Sequence, residues 1–484
     1  MHILMISYDD DNFGDNLIKI CFEGLVKVVL KNLGMSRAEY QIKKMPLKKI
    51  DRELVADADV IAFAGGGLFG LSYLGFYEYL NEITEIADEN GIPVIFSSIG
   101  VNNMDAKADV EESLKNLLQR KCIFAVSVRE NLELFRKYAE GCGFIPEQVC
   151  DPAVWTQYVY NMDTSEKVLA HAPIGVNVVR GGLFRDNGKE WGLKDELRLL
   201  SELRDYFEKN GQDYRFYTNG SVFDNNTLHY FEREYNVPHE KCIYSHTTKE
   251  VVETVASFKA IITFRMHSSI ISYSFGIPSI ALVWNDKIPF FYKNIGHSDR
   301  ILYFEDWNSR TLSEKLEFVL NNNGDKEIVN QKYLMSLYEF LYNTFKKLLI
   351  IKNKDDMAMR PIYSFESVKE TLAVSAGEID YESFDLHLKL EKAEKHYLQR
   401  FIDLRKKNQE LEGQKKELSK ERKLIETLQQ ENVRLKDQIS QRELELQEIN
   451  SWISVRFVKW FRRTYRKLIP LGIRKKLKKL LRKK

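Results

Sequence analysis

The sequence predicts an α/β protein of two Rossmann-like domains facing a cleft, followed by a C-terminal coiled coil and a basic amphipathic tail. Three observations carry this reading. Short β-branched and aromatic runs alternate with amphipathic stretches through residues 1–350, the pattern of parallel sheets covered by helices. Basic residues or glycines repeatedly follow those runs, at the strand ends where open α/β sheets bind ligands. Beyond Asn353 the alternation stops and apolar residues return every seven positions, the spacing of a coiled-coil seam.

A chain of 484 residues is too long for one ordinary core. Its net charge of +2 hides an asymmetry: residues 451–484 carry 14 Lys and Arg and no Asp or Glu, which leaves the first 450 residues at −12. An acidic body argues against nucleic-acid binding. The five cysteines are scattered, with no CxxC pair, so neither a disulfide framework nor a zinc cluster is expected, and a reducing cytosol suits them. No apolar run approaches the ~18 residues of a membrane span. An N-terminus bearing Asp9, Asp10, Asp11 and Asp15 does not read as a signal peptide. The expectation is a cytoplasmic protein, soluble or peripheral at the inner face of the membrane.

The first domain is expected over residues 1–160. It opens with a buried strand at 1–8 (MHILMISY), an acidic turn at 9–16 and an amphipathic helix at 17–33. Asp15 falls at the helix start and reads as an N-cap. A strand at 58–64 runs into Gly65, Gly66 and Gly67. These glycines allow close backbone approach to a ligand, or simply form a tight turn. They match neither GxGxxG with its later acid nor GxxxxGK[ST]. Strands follow at 93–99 and 122–128, the latter ending at Arg129. Asp151 reads as a helix cap or turn former rather than a catalytic acid.

A polar break at 160–173 leads to a second domain, expected over 172–350. Its strand at 174–179 ends at Arg180 and two glycines; a helix at 194–210 and a strand at 214–217 come next. The most informative stretch is 260–282, AIITFRMHSSIISYSFGIPSIAL. A buried strand at 260–264 delivers Arg265, Met266 and His267, Ser268 and Ser269 are expected to cap the following helix, and Pro278 begins the next strand. An Arg and a His facing free helix N–H groups suit a phosphate or carboxylate substrate that needs a proton donor or acceptor. The plainer alternative is a surface salt bridge for Arg265 and a packing role for His267. A helix at 331–351 is expected to close the globular part.

Residues 351–382 read as a linker and 383–450 as the coil. Leu390, Tyr397, Leu404, Leu411, Leu418, Ile425, Asn432, Ile439 and Leu446 form the seam, while its companion position (Asn408, Lys415, Arg422, Gln429) is polar. A homodimer through this coil is expected, against a solvated single helix. The tail, 451–484, interleaves Trp452, Phe457, Trp460 and Phe461 with its basic residues, a composition suited to an anionic membrane surface.

Several short motifs occur in a fixed order: NFGDNL at 12–17, GGGLF at 65–69, SIG at 98–100, SVRE at 127–130, DPA at 151–153 and FRMHSSIISYSFGIP at 264–278. The set resembles the polysaccharide pyruvyl transferase family over roughly residues 1–320. The resemblance implies a GT-B-like fold and transfer of a pyruvyl group from phosphoenolpyruvate to a sugar as a cyclic ketal. The acceptor would belong to a cell-surface glycan or its lipid-linked precursor. By the same resemblance His267 and Asp15 are catalytic, and Arg265, Arg129, Ser268 and, as a looser match, Arg180 bind the donor. Gly65, Gly66 and Gly67 form the acceptor side or a loop. Neither metal nor cofactor is implied; phosphoenolpyruvate is a co-substrate. The competing readings are a nucleotide-sugar glycosyltransferase, with Glu250 or Glu253 gripping ribose, and a non-catalytic coiled-coil membrane scaffold.

Overall fold

Each half of the first 350 residues is built on one six-stranded parallel sheet. The computed structural model describes residues 1–8, 13–71, 75–102, 106–162, 171–185, 188–322, 329–351, 361–375, 381–468, 472–475 and 478. In the first sheet the strands are β1 (His2–Ser7), β2 (Gln41–Pro46), β3 (Val60–Ala64), β4 (Val94–Ile99), β5 (Ile123–Val128) and β6 (Glu147–Gln148). They lie in the order β2-β1-β3-β4-β5-β6. The second sheet holds β7 (Ile174–Asn177), β8 (Tyr214–Tyr217), β9 (Cys242–Ile243), β10 (Ala260–Thr263), β11 (Ser279–Leu282) and β12 (Ile301–Leu302), in the order β9-β8-β7-β10-β11-β12. The central strands β3, β4, β10 and β11 are buried along their whole length. That is why they read as continuous apolar runs rather than alternating ones.

In both sheets the strand order reverses once, between β1 and β3 in the first and between β7 and β10 in the second. A crevice opens outside the strand ends at such a reversal. The segments leaving those four strands carry Asp15, Gly65 to Gly67, Arg180 and the pair Arg265 and His267. Topology alone therefore brings most of the expected site to two facing crevices.

Helix α1 (Phe13–Asn32) begins four residues before its expected start and is buried on nearly all sides. Its charged residues are matched inside: Glu23 pairs with Lys27 at 3.0 Å and with Lys44, from the edge strand β2, at 2.6 Å. Part of expected residues 9–16, namely 9–12, lies outside the described residues, as does most of the break at 160–173.

The chain does not leave the first lobe for good. Helix α4 (Gln331–Ile351), expected to finish the second domain, packs with α1 through Leu334, Leu341 and Phe345. Leu334 O accepts the Trp155 indole N–H at 3.1 Å, and the Asn32 amide donates to Tyr338 Oη at 2.9 Å. Within 351–382, expected to be a linker, residues Phe365–Ser375 form helix α5, whose Val368 and Leu372 are fully buried in the same core. Two such side chains contribute about 1.5–3 kcal/mol each when removed from water.

The chain divides into two units, Met1–Glu394 and Lys395–Lys484. The second consists chiefly of the part of helix α6 (Tyr381–Leu468) from Lys395 onward; this helix is an uninterrupted run of 88 residues that crosses the expected coil–tail boundary without a break. Among the described residues, no helix is long and apolar enough to cross a membrane.

Candidate active site between the two sheets

Strand β10 ends at Thr263, and helix α2 (Met266–Ser274) follows almost at once with Arg265 as its N-cap residue. The turn is fixed from two sides. The Arg265 N–H donates to Thr263 Oγ1 at 3.0 Å, and the Trp284 indole donates to Phe264 O at 2.6 Å. Because the N-cap is Arg265, three residues before Ser268, neither Ser268 nor Ser269 caps the helix. Ser268 is fully buried and its hydroxyl donates to Asn219 Oδ1 at 3.0 Å, so it is directed into the second lobe.

A cleft of about 370 Å³ opens between the lobes. Asp15, Gly67 and Arg129 line it from the first lobe; Arg265, His267, Trp284 and Lys287 line it from the second. Four of the expected charged or titratable residues, Asp15, Arg129, Arg265 and His267, thus share one space. Arg180 is not part of the lining. Its backbone N–H donates at 2.7 Å to Asp224 Oδ1, the carboxylate that also holds Arg265. Gly65 and Gly66 form the turn after β3 with φ of +62° and +81°, a region that favours glycine. Gly67 answers a different need: a Cβ there would sit 2.9 Å from Lys287 Nζ.

Each guanidinium is held from behind by carboxylates. Arg129 is buried, with Nε donating to Glu130 Oε2 at 2.9 Å and Nη1 donating to Asp151 Oδ2. Asp151 does cap a helix turn, Pro152–Trp155, by accepting the Ala153 N–H on Oδ1 at 2.9 Å. Its second oxygen also neutralises Arg129 and lies 3.9 Å from His267 Nε2. Arg265 Nη2 donates to both oxygens of the fully buried Asp224, at 2.8 and 2.9 Å. Anchoring of this kind fixes the planar fork and leaves its remaining donors for a ligand; Arg265 Nε has no hydrogen-bond partner among the described residues.

The imidazole of His267 is only 12% exposed, and its Nε2 has no hydrogen-bond partner among the described residues. Burial pushes its pKa down to about 4; Asp151 opposes this, while Arg129, Lys287 and Arg265 reinforce it. At neutral pH the ring is therefore uncharged. Burial likewise pushes Lys287 below its ordinary value, and Arg129 adds to the effect. Burial raises Glu130 despite its contact with Arg129. The result is a cationic cleft with a neutral, poised imidazole and one half-buried carboxylate, Asp15. It can grip a small multivalent anion and move protons beside it. Among the described residues, no cluster of three His, Cys, Asp or Glu could hold a metal ion.

Sequence reasoning missed Lys287, Trp284, Glu130 and Asp224 as members of this site. Lys287 opens helix α3 (Lys287–Asn294), a few residues after strand β11, so the strand-end rule that selected Arg265 reaches it too. Glu250, considered as a ribose ligand, instead accepts the His246 N–H at 2.7 Å beside its own helix start, and Glu253 faces Lys249 at 3.9 Å; neither lines the cleft. A second groove, of about 560 Å³, adjoins the cleft and shares Trp284 and Asn285 with it. Phe290, Tyr303 and Phe304 add aromatic surface there, with Lys189 and Lys293 beside them.

The sequence model of the polysaccharide pyruvyl transferase family matches residues 8–286, which include Asp15, Arg129, Arg265 and His267. The chain belongs to the polysaccharide pyruvyl transferase family. No curated protein matches this pyruvyl transferase family member in sequence. Among solved structures it is similar to the UDP-GlcNAc 2-epimerase of Methanocaldococcus jannaschii, with 12% identity and a TM-score of 0.44 over 71% of this chain and 99% of that one. A putative UDP-N-acetylglucosamine 2-epimerase from Listeria monocytogenes is 9% identical, with a TM-score of 0.45 over 74% and 98%. The ADP-heptose heptosyltransferase II of E. coli is 14% identical, with a TM-score of 0.34 over 66% and 99%. The family member's own topology, two parallel six-stranded sheets facing a cleft, is GT-B-like.

Proposed function

We propose that the chain transfers the pyruvyl group of phosphoenolpyruvate to two hydroxyls of a sugar in a cell-surface glycan or its lipid-linked precursor. The observation that carries this reading is the convergence of Arg129, Arg265 and Lys287 around a neutral His267 in one cleft. Phosphoenolpyruvate is a small, multiply charged anion, and several fixed cations are what its binding demands.

In this mechanism the arginines and Lys287 take the phosphate and carboxylate. Burial keeps the imidazole neutral and these cations reinforce it; the bound charge offsets the cations, so His267 gains a proton and delivers it to the methylene carbon. A sugar hydroxyl attacks C2 and loses its proton to Asp15. The C2–O bond to phosphate then breaks, and phosphate departs with the bonding pair. The second hydroxyl closes the ketal, and its proton returns to His267. One hydroxyl proton replaces the one spent on the methyl group; the other leaves with phosphate or solvent.

The aromatic groove beside Trp284 is the acceptor side, since ring faces flanked by amides and charges suit a sugar. The basic tail holds the protein on the inner face of the membrane, where lipid-linked precursors lie, and α6 pairs two copies. The test is phosphate release from phosphoenolpyruvate with candidate glycans. His267→Ala and Arg265→Ala should each abolish release above background. Turnover of a nucleotide sugar in place of phosphoenolpyruvate would overturn the reading.

A further inference from the structure

We propose that helix α6 pairs with a second copy of this chain in parallel and in register. The inference rests on the pairing named above and is independent of the transfer chemistry. Along residues 425–453 the helix is continuous. Ile425, Ile439, Leu446 and Ile453 occupy one seam position, while Leu428, Leu435 and Ile449 lie three residues after members of that series; each is more than half exposed. Spacing that alternates three and four residues is that of a left-handed two-stranded seam. Over 425–453 the companion position that completes the seam is thus three residues on, not four; before Ile425 that position is polar too, at Lys407, Gln414 and Glu421. Arg442 interrupts it once, with an aliphatic stem long enough to lie along apolar neighbours.

Two features select orientation and register. Asn432 stands in the seam and, in register, meets Asn432 of the second copy, where the two amides satisfy each other. A slip of one heptad would set it against Ile425 or Ile439 and strand a polar group. The flanking charges agree. In a parallel pair, Glu410, Glu417 and Glu431 on one copy face Lys415, Arg422 and Lys436 on the other, five residues on. Antiparallel pairing would set these acids against acids and these bases against bases. Parallel pairing also places the two 14-charge tails at the same end, so one membrane contact makes the second intramolecular.

The test uses the full chain with Cys142→Ser, since Cys142 is the half-buried native cysteine and the other four are buried. Adding Ile439→Cys should give near-complete disulfide-linked dimer under mild oxidation, while Ser440→Cys, one position off the seam, should give little. Sedimentation should show a dimer whose Kd rises about tenfold in Glu431→Lys and recovers in the Glu431→Lys, Lys436→Glu double variant. A sedimenting dimer that fails to link through residue 439 overturns the parallel register. A monomer, or pairing only with a different protein, overturns the pairing itself. In either case phosphate release by the intact enzyme stays as it was, which separates this failure from failure of the chemistry.

Discussion

A β-carbon at residue 14 would lie 2.2 Å from Nδ1 of His267. The imidazole of the second lobe therefore rests directly on the backbone of the first lobe, at the start of α1. Only glycine allows this contact. Gly14→Ala should displace the ring and cost about 100-fold in kcat, with a loss of about 1–3 kcal/mol in stability from overpacking. Steady-state kinetics and a thermal melt check the two effects separately. Full activity in the variant would show that the ring's position is not critical.

His267 should link donor binding to proton uptake. Burial holds its pKa down at about 4, with Arg129, Lys287 and Arg265 contributing. A bound anion offsets those cations and raises the value, so binding takes up protons and strengthens as pH falls toward neutrality. Calorimetric titration of phosphoenolpyruvate above about pH 7.5, where its phosphate is fully ionised, in two buffers of different ionisation enthalpy measures the uptake. His267→Asn should bind without it.

Glu196 should make folding stability fall with rising pH. The residue is 1% exposed, and burial pushes its carboxyl up to about 8, with the Val179 N–H and Arg265 opposing and Asp224 adding to the rise. An unfolded glutamate titrates at about 4.3. Between these values the folded state keeps a proton that the unfolded state has lost. The contribution is complete below about pH 4.3 and disappears as pH rises through about 8, a change of a few kcal/mol. Urea unfolding of Glu196→Gln at pH 5.5 and 8.5 should show a flatter profile than the parent.

The tail should bind anionic membranes. Trp452, Phe457, Trp460 and Phe461 are all more than half exposed at the end of α6, and the Arg456 guanidinium lies 4.2 Å from the Trp452 ring centre. Removing residues 451–484 should abolish sedimentation with phosphatidylserine-containing vesicles and leave phosphate release with a soluble acceptor unchanged. Parent binding should weaken with salt, because much of the attraction is to surface charge. Unchanged sedimentation of the truncated chain refutes the anchor.

The sequence was most readable where burial is symmetric. β3, β4, β10 and β11 announce themselves because both faces are covered, and the end of β10 places Arg265 and His267, as the end of the less buried β5 places Arg129. Edge strand β2, with sequence QIKKMP, offers no apolar run to read, since charge and proline are how an exposed sheet edge avoids pairing with other chains. The two-residue strands β9 and β12 are too short to carry a pattern. Helix α5 buries only Val368, Leu372 and Ser375 among polar neighbours, so its stretch looked like a linker. Asp151 shows a different limit. Its local pattern identifies a cap correctly, yet its other partners, Arg129 and His267, stand 22 and 116 positions away, and no local spacing reveals them.

The return of α4 and α5 to the N-terminal sheet makes that half of the catalytic unit discontinuous in sequence. Cys150 N donates to Ser336 Oγ at 3.0 Å, and Trp155 is sealed against Leu334. A chain cut between residues 162 and 171 would therefore yield two fragments, neither complete: the first would lack the segment that covers α1, and the second would carry that segment with its apolar side bare. Complementation of co-expressed pieces, rather than isolation of either, is the form in which this enzyme can be dissected.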